Sequence, residues 1–168
     1  ALFRSSGGFE ASGTLAEGEG AAELCRDFCR EFSYELPGAW PEGGSGVLTA
    51  AGRYGGLTVF NCVVTFTLEN GVLTAVSGTL LPQTGTPAPG EEPPLSAAGA
   101  LTAFQRMRRE SAAVASTVTG ARLCYELQNS GAAMSLAPAW RVVTDTEDYY
   151  VTCLTGVVTA GGAPAGEG

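Results

Sequence analysis

Residues 136–158 have the sequence LAPAWRVVTDTEDYYVTCLTGVV, and this stretch decides the fold because it predicts two β-strands joined by a tight polar turn. Alternate residues of the first arm fall on opposite faces: Trp140, Val142 and Thr144 on one, Arg141 and Val143 on the other. Turn-forming residues fill 145–148, and the return arm is aromatic and β-branched, as strands commonly are. The hairpin predicts antiparallel sheet in this half of the chain.

The composition limits the number of domains that the chain can form and the kinds of partner that it can bind. The chain has 168 residues, of which 45% are hydrophobic, and this suits one domain or two small units on a shared core. The net charge of −8 repels phosphate backbones and anionic lipid, so we expect neither nucleic acid nor a membrane surface as a partner. All nine basic residues are Arg, and His is absent, which removes the commonest general base and metal ligand.

The sequence contains five cysteines, an odd number without a CxxC pair: Cys25, Cys29, Cys62, Cys124 and Cys153. The first two share a predicted helical stripe with Leu24, Phe28 and Phe32, and the others lie in strand-like apolar runs. A metal cluster or a redox switch is the functional alternative. Because no His completes a zinc site and free Cys usually packs as a small hydrophobe, we expect buried thiols.

A proline-rich linker separates two halves. Residues 82–94, PQTGTPAPGEEPP, contain five prolines and no large apolar residue, which predicts a stiffened, solvated linker. We expect one α+β half over residues 17–81 and a second over residues 95–160. Residues 1–16 are expected to be a flexible lead-in, and residues 161–168 a disordered tail.

The first half is predicted to contain a helix, a strand and a hairpin, in that order. The helix covers residues 17–36 and ends at a Pro-Gly pair. A short strand follows over 47–51. The hairpin arms, 57–68 and 72–81, alternate between apolar and polar residues and flank Asn70-Gly71, the strongest short-range hairpin signal.

The second half repeats this order. A helix capped by Ser96 is predicted to run to Glu110, and a strand over 122–128 precedes the closing hairpin. One helix over a small sheet buries little apolar surface. We therefore predict an α+β fold, a pseudo-repeat of two helix-plus-antiparallel-strand halves that share or pack their sheets.

Motifs for catalysis do not stand out. The chain has no Gly-rich phosphate loop before a helix, no HExxH and no Lys for a Schiff base, so we predict no catalytic, cofactor-binding or metal-binding residue and no enzyme activity. One tight carboxylate cluster occurs, at Asp145, Glu147 and Asp148. An acid–base pair or a Ca²⁺ site there would need a pocket or more oxygen ligands, and we expect a hydrated turn.

Candidates for contact with a partner lie on the closing hairpin: Arg141, Tyr149 and Tyr150. The two tyrosines point to opposite faces of their strand, so we expect one in the core and one exposed. Trp140 is expected in the core, with an interface anchor as the alternative. A basic group near the end of the second helix is expected to be solvated, with a patch for an acidic partner as the alternative: Arg106, Arg108 and Arg109.

The second half resembles the C-terminal pattern of the YycI and YycH group, extracytoplasmic regulators of a two-component sensor kinase in Gram-positive bacteria, and the related PepSY-type modules. The similar segments are LSAAGALTAF (95–104) as the helix, ARLCYEL (121–127) as the strand, and LAPAWRVVTD…YYVTCLTGVV as the hairpin. In the first half, YGGLTVFNCVVTFTLENGVLTAVSGTLLP (54–82) is similar to the turn, Val-Phe and hairpin pattern that precedes it.

This resemblance implies a non-enzymatic regulatory protein of the cell envelope that modulates a sensor kinase or another envelope protein by binding. It implies an extracytoplasmic location and a membrane anchor in the full-length protein, ahead of the sequence printed here. Such a module is expected to expose a sheet face or edge that takes up a partner. The PepSY resemblance implies an alternative, a protease-inhibitor or propeptide-like module whose partner is a peptidase.

Overall fold

The structure is a computed structural model that describes residues 2–3, 7–81, 94–111, 116–129 and 134–161. Over those residues, two helices and nine strands occur in the order β1 (Leu2–Phe3), β2 (Gly8–Glu17), α1 (Glu19–Glu31), β3 (Gly46–Tyr54), β4 (Leu57–Glu69), β5 (Val72–Thr79), α2 (Ala97–Ser111), β6 (Val118–Asn129), β7 (Met134–Thr144), β8 (Asp148–Thr152) and β9 (Val158–Ala160). The predicted α+β class is confirmed.

The chain forms two compact units. The first comprises Ala1–Thr86 with Asn129–Met134, and the second comprises Pro87–Gln128 with Ser135–Gly168. The order of helix, strand and hairpin occurs in both, as α1, β3 and β4–β5 in the first unit and as α2, β6 and β7–β8 in the second. Parts of three predicted segments lie outside the described residues: 1 and 4–6 of the lead-in, 82–93 of the linker, and 162–168 of the tail.

The first unit places α1 against one face of an antiparallel sheet in the order β1-β2-β5-β4-β3. Phe28 of α1 joins helix to sheet, since its ring centroid lies 5.4 Å from that of Phe9 and 5.8 Å, edge-on, from that of Phe66. Cys25 and Cys29 are buried beside it. Leu24, expected on the same stripe, is 42% exposed, so the buried face of the helix is narrower than predicted.

Residues 8–16, expected within a flexible lead-in, and Glu17, expected to begin the first helix, form β2 instead. This strand pairs with β5 from Gly8 opposite Thr79 to Glu17 opposite Val72, with an irregularity between Ser12 and Ala16. Glycine and serine lower the intrinsic strand propensity here, but pairing with β5 satisfies the backbone. Pairing with β5, which is distant in sequence, therefore decides the structure of these residues. The local sequence pattern does not reveal this partner.

The predicted hairpin of the first half is confirmed as β4 and β5, paired from Val64 opposite Gly78 to Glu69 opposite Val72. Asn70 and Gly71 have φ angles of 52° and 80°, as a two-residue turn with positive φ at both central positions requires. The alternation of buried and half-buried residues along β4 is interrupted near the start of the strand: Val59 is fully buried and Phe60 only half-buried, because the register with β3 jumps there.

The second unit packs α2 on strands in the order β6-β7-β8-β9. Its core contains Ala100, Phe104, Val142, Tyr149 and Val151. The predicted cap is confirmed, since the Gly99 amide donates to Ser96 Oγ over 3.1 Å. The closing hairpin is confirmed as β7 and β8. Strand β9, which pairs with β8, extends the sheet beyond the predicted hairpin.

No helix in the part of the chain that the structure describes is long and apolar enough to cross a membrane.

Candidate protein-binding surface

The register of the closing hairpin brings a set of polar side chains onto one face of the second unit. Arg141 lies opposite Tyr150, Val143 opposite Asp148, and Tyr150 opposite Thr159, and paired residues project from the same face of a sheet. The core residues around Phe104 lie on the other face, under α2. We call the face away from α2 the hairpin face, and its polar members are Arg141, Asp148, Tyr150, Thr152 and Thr159.

Arg141 and Asp148 form an ion pair at the centre of the hairpin face. Arg141 Nε donates to Asp148 Oδ2 over 2.7 Å, and Nη2 also contacts Oδ2. The Asp148 side chain is 5% exposed and the Arg141 side chain 33%. Asp148 Oδ1 is buried and has no hydrogen-bond partner among the described residues. The buried carboxylate thus holds a partly exposed guanidinium in a fixed place.

Tyr150 stands beside this pair as the cross-strand neighbour of Arg141 and is half-buried. Its ring covers the backbone at Gly161, where any side chain would overlap the ring. The Gly161 amide donates to the Asp148 carbonyl over 2.8 Å, which fixes that backbone under the ring. Tyr150 therefore adds a positioned aromatic surface next to Arg141.

Tyr149 does not belong to this surface. Its side chain is buried against α2, with the ring centroid 4.8 Å from that of Phe104. Its hydroxyl donates to Glu147 Oε1 over 2.5 Å, and this bond raises the pKa of Tyr149. One tyrosine lies in the core as expected, but the other, Tyr150, is half-buried and not exposed. The burial of Tyr149 leaves little of its side chain available for the expected contact with a partner.

The three carboxylates of the turn do not act together, because each has a different hydrogen-bond partner. Asp145 Oδ1 accepts from the Thr117 amide over 2.7 Å, Glu147 accepts from Tyr149, and Asp148 pairs with Arg141. The expected hydrated turn is wrong for Asp148, which is 4% exposed. Among the described residues, no three side chains of the types that bind metals lie together.

All five thiols are buried and free, as the hydrophobic interpretation predicts. Burial raises the pKa of Cys25, Cys29 and Cys62 to about 11 and that of Cys124 to about 12. The pKa of Cys153 is also raised by burial. These thiols therefore stay protonated near neutral pH and are poor nucleophiles.

Two further candidates have structural roles. Trp140 belongs to the margin of the second core, and its Nε1 donates to the Leu95 carbonyl over 2.7 Å. Arg108 donates to the Ser116 carbonyl over 2.8 Å, and its guanidinium lies 5.6 Å from the centroid of the Phe104 ring. Arg106 and Arg109 are exposed. Arg108 therefore has a structural role, whereas Arg106 and Arg109 are in contact with solvent.

Asp148 is the residue of this surface that the sequence interpretation missed. The signal that could have found it is the alternation of faces along the hairpin. If Arg141 pairs with Tyr150, they share a face, and Asp148, two residues before Tyr150 on the same strand, must lie on that face too. Treating residues 145–148 as one polar turn concealed this, because a turn residue has no assigned face.

The chain matches no protein-family model and has no significant match among curated proteins.

Proposed function

We propose that this protein is a non-enzymatic regulatory module of the cell envelope in a Gram-positive bacterium. On this proposal it is extracytoplasmic, carries a membrane anchor in its full-length form, and modulates a two-component sensor kinase or another envelope protein by direct contact. The sequence resemblance to the YycI and YycH group supplies the class of partner. The hairpin face supplies a surface for the contact.

The observation that carries the proposal is the arrangement of Asp148, Arg141 and Tyr150. A buried carboxylate is costly, and here it fixes an arginine whose side chain remains one-third exposed. Arginine and tyrosine are the residue types over-represented at the energetic centres of protein interfaces. Because both are held by the sheet, little side-chain entropy is lost when a partner binds.

The proposal is tested by chemical cross-linking in cells that express the full-length protein with its native N-terminus. Captured proteins are identified by mass spectrometry against an unrelated anchored control. Enrichment of a sensor kinase is the expected result. Enrichment of a peptidase instead would favour the inhibitor or propeptide-like role, and absence of any enriched envelope protein would contradict both.

A further inference from the structure

The segment that connects α1 to β3 is apolar and lies on the surface of the first unit. Residues 36–41 have the sequence LPGAWP, which contains no charged side chain. Leu36 is 55% exposed and Trp40 is 36% exposed, and Ala39 beside Trp40 is also exposed. A single exposed apolar residue is ordinary, but a group of them on one surface is informative about binding.

This segment is held against the outer edge of β3 at both ends. At one end the Glu35 amide donates to the Ala51 carbonyl over 2.8 Å. At the other end Pro41 packs beside Gly46, and its carbonyl accepts from the Gly44 amide over 3.1 Å. Both prolines of the segment also fix their own φ angles. The apolar side chains are therefore presented on a path that the fold determines, which lowers the entropy lost when a partner binds.

Val47 adds a third exposed apolar side chain, 61% exposed, to the same surface. It follows Gly46, and Trp40 precedes Pro41, so both adjoin the contact between Pro41 and Gly46. Leu36 adjoins the bond to Ala51, which lies four residues along β3 from Val47, or about 13 Å. We call the surface formed by Leu36, Trp40 and Val47 the apolar flank.

The charges around the apolar flank are acidic. Glu42 is exposed and follows Pro41. Glu69 is exposed and follows the residue of β4 that pairs with Gly46. Arg53, at the far end of β3, donates to the Gly56 carbonyl within its own turn. Because opposite charges across an interface favour association, this rim favours a partner that carries Lys or Arg beside its apolar side chains.

Other parts of this chain fit the acidic rim less well. The linker residues 82–93 contain two Glu and the tail residues 162–168 contain one, and neither segment has a basic residue. A second copy in a two-fold arrangement would present the same surface to itself, and so would bring Glu42 and Glu69 towards their own counterparts. Like charges brought together oppose association.

We propose that the apolar flank is a docking surface for a segment of a partner protein that carries aliphatic side chains together with Lys or Arg. Trp40 is the anchor of this surface, because tryptophan is among the residue types enriched at the energetic centres of interfaces. Glu42 and Glu69 attract the basic residues. The apolar flank belongs to the first unit and the hairpin face to the second, so either contact can fail without the other.

The test is a ¹H–¹⁵N NMR titration of the 168-residue chain with the synthetic peptide acetyl-Lys-Leu-Thr-Leu-Thr-Val-Arg-amide. The chain has two tryptophans, and Trp40→Phe assigns their indole N–H signals. We expect saturable shifts of the Trp40 indole and of the Leu36 and Val47 amides, while the Trp140 indole stays unmoved. Absence of these shifts, or equal shifts of both indoles, would overturn the proposal.

Two control peptides separate the charged part of the recognition from the apolar part. One replaces both basic residues by Glu, and the other replaces the three aliphatic residues by Ser. We expect each to bind at least about tenfold more weakly than the first peptide. Undiminished binding of the Glu peptide would contradict the acidic rim, and undiminished binding of the Ser peptide would contradict the apolar flank.

Variants of the protein complete the test. Leu36→Ser removes an exposed side chain, so it should preserve the dispersed spectrum and weaken the first peptide at least about tenfold. Leu154→Ser is the matched control, since Leu154 is 61% exposed on the second unit, and it should leave binding unchanged. Equal effects of these two variants would contradict the site. Glu42→Lys/Glu69→Lys should reverse the preference in favour of the Glu peptide, and an unchanged preference would contradict the rim.

Self-association is measured on the same samples without peptide. We expect the signals of the apolar flank to be independent of protein concentration. Concentration-dependent shifts at Trp40 and Val47 would assign the apolar flank to a second copy of the chain and overturn the proposal.

Discussion

Arg141 and Asp148 show how one pair of side chains links stability to a surface. Removing the arginine leaves a buried, unpaired carboxylate, whereas replacing both residues by leucine removes the charges together. We expect Arg141→Ala to lower the free energy of unfolding by about 3–5 kcal/mol, and Arg141→Leu/Asp148→Leu to be less destabilised than either single leucine variant. Urea denaturation monitored by circular dichroism measures this.

Arg122→Ala is the matched control for that experiment, because Arg122 is an exposed arginine on β6. Its effect should stay within about 0.5 kcal/mol. If Arg141→Ala were as mild as this control, Asp148 could not depend on the ion pair, and the fixed position of Arg141 would lose its physical basis.

The buried thiols give the protein a stability limit at alkaline pH. Burial raises the pKa of the Cys25 and Cys29 thiols from an ordinary value of 9.0 to about 11, so between these values the unfolded chain releases protons that the folded chain keeps. Stability is then complete below about pH 9 and falls as the pH rises towards 11. We expect the melting temperature to drop between pH 8 and 10.5, as followed by circular dichroism.

The Cys25→Ala/Cys29→Ala variant separates this effect from other alkaline titrations. Its melting temperature at pH 8 should be lower, because cavities form in the core, but its decline with pH should be shallower than that of the parent. Parallel declines would show that these two thiols do not carry the effect.

At the scale of elements, Ser96 caps the N-terminus of α2. Ser96 Oγ accepts from the Gly99 amide, satisfying a donor that the helix leaves unbonded. We expect Ser96→Ala to cost about 1 kcal/mol of stability. Ser111→Ala, at the other end of the same helix, removes only exposed bonds to the Met107 carbonyl and sulfur and should be nearly neutral. Equal losses in chemical denaturation would count against the cap.

Elements with their own local signals could be predicted, and those that depend on a distant partner could not. Asn70-Gly71 fixes a turn by its backbone preference, and Ser96 marks a helix start, so both elements were predictable. Strand β2 contains two glycines among its ten residues, which weakens its local signal, and it gains its structure from β5. Strand β9 has three residues, too few to show a period, and depends on β8.

The candidate surface, too, could be predicted only where local sequence signals decide it. Alternation placed Arg141 away from Val142 and put Tyr149 and Tyr150 on opposite faces, as the structure has them. It did not decide which tyrosine is inside, because that depends on where α2 packs. The burial of Asp148 was likewise hidden until the register of the hairpin was known.

At the scale of the whole molecule, an acidic chain with a net charge of −8 carries an ion-paired arginine and a half-buried tyrosine on the hairpin face of its second unit. Both side chains suit protein contacts, and both lie on paired strands that hold them in place. We therefore propose as the central claim that the hairpin face contacts an envelope protein.

The most direct test of that claim is site-specific photo-cross-linking in cells, with a benzophenone side chain at Thr159 of the full-length protein. Thr159 is exposed and lies opposite Tyr150 on the hairpin face. The control site is Gln105, exposed on α2. We expect a specific adduct with a sensor kinase or another envelope protein from position 159 and not from position 105. Equal adducts from both positions, or none from position 159, would contradict it.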